Sequence, residues 1–191
     1  MENQNQQNLD LIASMIKTAQ RRFYDDSPFY ILWGTTIFLA CIIQYLSFQI
    51  GYANGGIAWA ILIPLALIIQ IILVKKQKQR EKTKTHMESL LISMWVAFGI
   101  TLFIILFFSF RLSENTYPVV LCLYAITTYI SGSAFKIKAF IFGAIACWIL
   151  AIASFFVTFE NQILLLALGV LTAFIIPGVI LRSSEKAEKL N

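Results

Sequence analysis

Charge is scarce in this sequence, and its placement is uneven. Only 13% of the 191 residues are charged while 59% are hydrophobic, against about 25% and about 45–50% in an average soluble domain. A single large buried core would share that composition, but the positions of the charges exclude it. The 15 Lys and Arg and the 10 Asp and Glu all fall in the terminal segments or in short stretches between apolar runs. The runs themselves carry none, and each is close to the roughly 20 residues needed to cross a bilayer core.

Other shortages exclude chemistry. His86 is the only histidine and lies in a basic link, where it reads as a solvated loop residue or the neighbour of a helix cap. Cys41, Cys122 and Cys147 are an odd number, lack CxxC spacing and sit inside apolar runs, so they read as small packing residues. No aspartate pair, His/Glu set or acidic cluster stands at membrane depth, where intramembrane catalysis and metal binding would need it. The many Ser and Thr there have no base to activate them. No catalytic, metal-binding or cofactor-binding residue is assigned, and the expectation is a chain that is not an enzyme. No removable secretory signal is expected either, because the first apolar run is long and follows a polar, charged segment.

What is present orders itself along the chain. Residues 1–26 open Gln/Asn-rich and continue with Leu9, Ile12, Met15, Ile16, Ala19 and Phe23 at three- and four-residue spacing, an amphipathic helix. Ser27-Pro28 restarts the chain as N-cap and first helical residue. Six spans follow in a domain covering 27–182, at about 28–50, 56–74, 89–110, 117–135, 139–159 and 162–181, before a polar tail at 183–191. The glycine-rich link after the first span predicts an antiparallel hairpin. Pro64 is expected to bend the second span, since an interior proline removes a helical hydrogen bond and clashes with the preceding turn. Thr85 to Glu88 has capping-box spacing ahead of the third, and Asn161 is placed to cap the sixth.

Orientation follows from counting cations, because short Lys/Arg-rich loops stay on the cytoplasmic side. Lys17, Arg21 and Arg22, the six cations Lys75, Lys76, Lys78, Arg80, Lys82 and Lys84, then Lys136 and Lys138, then Arg182, Lys186 and Lys189 alternate with six spans. Arg111 alone faces the other way. Both termini are therefore expected in the cytoplasm. The cluster from Lys75 to Lys84 is expected to meet anionic lipid headgroups; without interleaved aromatics it has no platform for stacking bases, so nucleic acid is not an expected partner.

Two faces within the spans stand out. Tyr124, Thr127, Thr128 and Ser131 share one side of the fourth span and would either line a solute path or hydrogen-bond neighbouring helices, with Gln44 and Gln70 as partners. Ala139, Gly143, Cys147 and Ala151 repeat every four residues in the fifth, a surface on which another helix can come close. Its partner is either a span of the same chain or a second copy. The prolines and glycines show no matching halves of the kind that marks inverted-repeat transporters.

Ser131-Gly132, Phe135-Lys136-Ile137-Lys138, Gly143, Trp148, Phe155-Phe156, Ile176-Pro177-Gly178 and Leu181-Arg182, with Leu11 to Ile16 and Leu32-Trp33-Gly34, resemble a family of small, uncharacterised six-span membrane proteins of Bacteroidetes-type bacteria. The resemblance implies a multi-pass protein of a bacterial inner membrane and adds no mechanism. The expected fold is thus all-α, a polytopic membrane bundle of six spans with an N-terminal amphipathic helix. Its expected role is non-enzymatic, through interaction as a subunit, sensor or regulator, with lipids and a protein partner or second copy as its contacts. The alternative is a small transporter or channel for a neutral or apolar solute along the fourth span.

Overall fold

The computed structural model describes residues 27–52, 56–78 and 86–190, with side chains at all of these except 77–78, 86–88 and 184–190. The expected N-terminal amphipathic helix and the side chains of Lys78, Arg80, Lys82 and Lys84 lie outside the described residues. The described chain is all-helical: α1 (Ser27–Gln49), α2 (Ile57–Lys78), α3 (His86–Phe107), a four-residue α4 (Ser109–Leu112) with a 3-10 turn at Ser113–Asn115, α5 (Thr116–Phe135), α6 (Lys138–Ser154), α7 (Phe159–Val170), a π-helical turn (Leu171–Ile175) and α8 (Ile176–Leu190). Among the described residues five helical segments are long and apolar enough to cross a membrane: Ser27–Gln49, Ile57–Lys76, Ser89–Phe107, Ser109–Phe135 and Phe159–Ser183. α6, expected to span 139–159, is a shorter helix of 17 residues, about 25 Å at the α-helical rise.

α6 stops early because Thr158, not Asn161, takes the extended backbone before α7, so Phe155 to Val157 become a turn. At the other end the expected polar tail is helical to Leu190. The π turn sits just before Pro177. That proline removes one hydrogen bond and crowds the carbonyl four residues earlier, at Ala173, and widening the helix there relieves the crowding.

α1, α5, α6 and the α7–α8 rod form the core, in which Cys41, Leu121, Phe140, Ala144, Cys147, Ile163 and Val170 are fully buried. Glycines let the backbones meet. A Cβ on Gly34 of α1 would lie 2.7 Å from Ile175, and one on Gly178 would lie 2.9 Å from Ile31. Each helix thus offers a gap to the other, in antiparallel order. α2 lies outside on α1, where of its described side chains only Ala58 and Ala66 are buried, and no described residue of α3 is buried. α3 is joined to the core by rings: Trp95 to Tyr30 at 6.0 Å and Phe98 to Tyr124 at 5.4 Å between centroids. Tyr30 in turn meets Phe140 at 4.9 Å and Tyr124 meets Phe174 at 5.3 Å, so five segments converge on one aromatic cluster.

Candidate functional site

The polar face of α5 points into the bundle. Tyr124, Thr127, Thr128 and Ser131 are 4%, 4%, 2% and 0% exposed, which closes the face to solvent and lipid alike. Its hydroxyls do not reach across to other helices as expected. Thr127 Oγ1 donates to the Leu123 carbonyl at 2.9 Å and lies 3.1 Å from that of Tyr124, and Ser131 Oγ donates to the Thr127 carbonyl at 2.9 Å. A Ser or Thr one turn along a helix finds its own backbone carbonyl nearer than any neighbour, so it closes the bond locally. Thr128 Oγ1 is buried with no hydrogen-bond partner.

The glutamines work elsewhere. Gln44 Oε1 accepts from the Trp59 indole N–H at 2.6 Å and from the Tyr117 hydroxyl at 3.3 Å, tying α1 to α2 and α5. Gln70 Oε1 accepts from the Trp33 indole N–H at 3.0 Å, tying α2 back to α1. The expectation that both glutamines serve the Thr127 face is corrected by these bonds. The signal that identifies the real donors is in the sequence: Gln44 follows Trp33 by 11 residues and Gln70 follows Trp59 by 11. Eleven residues are three helical turns, so two antiparallel helices bearing the same Trp and Gln spacing match donor to acceptor at both ends.

The small-residue face of α6 receives the last span of the same chain. A Cβ on Gly143 would lie 2.5 Å from the Thr172 carbonyl oxygen and 3.0 Å from Ala173 Cα. One turn further Cys147 Sγ donates to the Gly169 carbonyl at 3.3 Å, which also accepts from Thr172 Oγ1 at 3.0 Å. Ala151 is buried and Ala139 half-buried. The π turn therefore fits against α6 through Thr172 and Ala173 and against α1 through Phe174 and Ile175.

A cleft of ≈ 300 Å³ opens between α1 and α2, lined by Ile43, Ser47, Tyr52, Ile57, Ala58, Ile61 and Leu62, and none of the α5 hydroxyls reaches it. Lys75 and Lys76, the part of the basic cluster whose side chains are described, are exposed. Among the described residues no three His, Cys, Asp or Glu side chains come together as a metal set would. No family model matches the chain, and neither a curated protein nor a solved structure matches it. With five apolar helices long enough to span a bilayer among its described residues, the chain has the build of a helical membrane protein.

Proposed function

We propose that this chain is a six-span protein of a bacterial inner membrane, with both termini cytoplasmic, which acts through interaction as a subunit, sensor or regulator rather than through catalysis or transport. The antiparallel contacts support the span count. α6 meets α7 and the π turn in opposite order, with Gly143 at Thr172 and Cys147 at Gly169. It follows α5 through a turn closed by the Lys136 and Ile137 N–H groups on the Ser133 and Gly132 carbonyls. That a helix of this length is laid antiparallel to full-length spans on either side supports reading it as a sixth crossing.

The observation that carries the reading against transport is the closed α5 face. Solute paths through membrane proteins are lined by polar groups that face an aqueous cavity. Here the most polar span turns those groups into packed protein and satisfies Thr127 and Ser131 on their own backbone. A solute-efflux assay on liposomes containing the purified protein tests it. Entrapped glycerol and urea should leave no faster than from protein-free vesicles. Faster efflux that Thr127→Leu abolishes would establish the transporter reading instead.

A further inference from the structure

Five cations on three separate parts of the chain come to one level of the bundle. Gln70 is bonded to Trp33 of the antiparallel α1 at 3.0 Å, so Lys75 and Lys76, five and six residues further along α2, stand beside the first residues of α1. Gly178 packs on Tyr30 and Ile31, which brings Arg182, one turn on, to the same height. The Phe140 ring lies 4.9 Å from that of Tyr30, and Lys138 and Lys136 immediately precede it. All five side chains are exposed, and none is ion-paired to a carboxylate among the described residues. Glu114 and Glu160, the acidic side chains that are described, lie at the opposite end, in the turns before α5 and at the start of α7.

From this convergence we infer that the rim around the start of α1 is a binding surface for anionic phospholipid, built by Lys136, Lys138 and Arg182 together with Lys75 and Lys76. The inference rests on the membrane reading and deepens it, by shifting the lipid contact from the 75–84 link alone to a rim that joins three parts of the bundle. Exposed cations at headgroup depth, with no carboxylate partner among the described residues, are neutralised by the phosphate diesters of the leaflet. Lys136 and Lys138 are held for that contact. Lys136 takes the left-handed conformation, φ 56°, that ends α5, and the intervening Ile137 packs against the core. Lipid phosphates bridging this turn, Arg182 and the end of α2 would also fasten α2, which the protein itself holds mainly through α1.

The full-length protein, purified in a nonionic detergent, is titrated with phosphatidylglycerol or with phosphatidylcholine of the same acyl chains. Thermal unfolding and retained lipid, the latter by native mass spectrometry, are the readouts. Phosphatidylglycerol should raise the unfolding temperature and remain bound, phosphatidylcholine should do neither to the same extent, and equimolar inorganic phosphate should have no effect. Lys136→Gln, Lys138→Gln and Arg182→Gln should each weaken phosphatidylglycerol binding by about fivefold while leaving the response to phosphatidylcholine unchanged. Equal responses to the two lipids, an effect of free phosphate as large as that of the lipid, or lysine variants that bind as the parent does would overturn the inference and leave the membrane reading intact. A protein that stays folded and monodisperse with neither detergent nor lipid would remove the membrane reading itself.

Discussion

The indole N–H of Trp59 and the side-chain oxygen of Gln44 are 2.6 Å apart, and the same pairing recurs three turns away with the helices exchanged, Trp33 on Gln70 at 3.0 Å. The two bonds clasp α1 and α2 at both ends of their contact. α2 buries so little apolar surface that these polar bonds fix its register. Gln44 has the larger share, because it also accepts from Tyr117.

Replacing Gln44 by Leu should therefore cost more than replacing Gln70 by Leu. Polar contacts between membrane helices average about 0.6 kcal/mol with a maximum near 1.7, so the expected losses are about 1–2 kcal/mol for Gln44→Leu and about 0.6 for Gln70→Leu. Equilibrium unfolding in mixed micelles measures both. Equal losses would show that the Tyr117 bond contributes nothing.

Glycine substitutions should divide by location. Alanine at Gly143 would place a methyl 2.5 Å from the Thr172 carbonyl oxygen, whereas nothing lies within 4 Å of a Cβ at Gly99. Gly143→Ala should destabilise by about 1–3 kcal/mol through forced separation of α6 and the π turn. Gly99→Ala should be neutral or stabilise by up to about 1 kcal/mol through helix propensity. Destabilisation of similar size at both positions would contradict the packing described for α6.

The buried hydroxyls differ in the same way. Thr128 Oγ1 has no partner at 2% exposure, while Thr127 is bonded to its own helix. Thr128→Val should stabilise by about 1 kcal/mol, since an orphaned buried polar group carries its full desolvation penalty, and Thr127→Val should change stability little. A loss of stability in Thr128→Val would mean that the hydroxyl has a partner.

Opposite signals from topology reporters fused at Asn191 and after Glu114 are expected, as the proposed six-span topology with both termini in the cytoplasm requires. Matching signals would remove one span, and α6 would be the one to fall.

Much of this architecture was legible in the sequence for physical reasons. Charge-free runs of bilayer length mark apolar spans whatever their packing, and the four-residue repeat of Ala139, Gly143, Cys147 and Ala151 marks a face where another helix can approach. Which helix approaches was not legible, because small residues specify closeness and not identity; the Thr172 and Gly169 carbonyls supply that. The polar face of α5 was visible as a stripe, but not its bonding, since a Thr hydroxyl chooses between its own backbone and a neighbour by distances of a few tenths of an ångström. Gln44 and Gln70 were singled out without Trp33 and Trp59, whose equal spacing becomes informative only once α1 and α2 are laid antiparallel. The π turn left no pattern of its own beyond Pro177, four residues after Ala173.

The central claim is a packed membrane bundle with no water path along its most polar span, and cysteine accessibility tests it most directly. In a variant with Cys41, Cys122 and Cys147 replaced, single cysteines at Thr127 and Ser131 are challenged with a membrane-impermeant thiol reagent from each side in turn. Ser133, which is exposed at the end of α5, serves as the positive control. Labelling at 133 from the cytoplasmic side alone, with 127 and 131 protected from both sides, is the predicted result; rapid labelling of 127 and 131 from either side would contradict it.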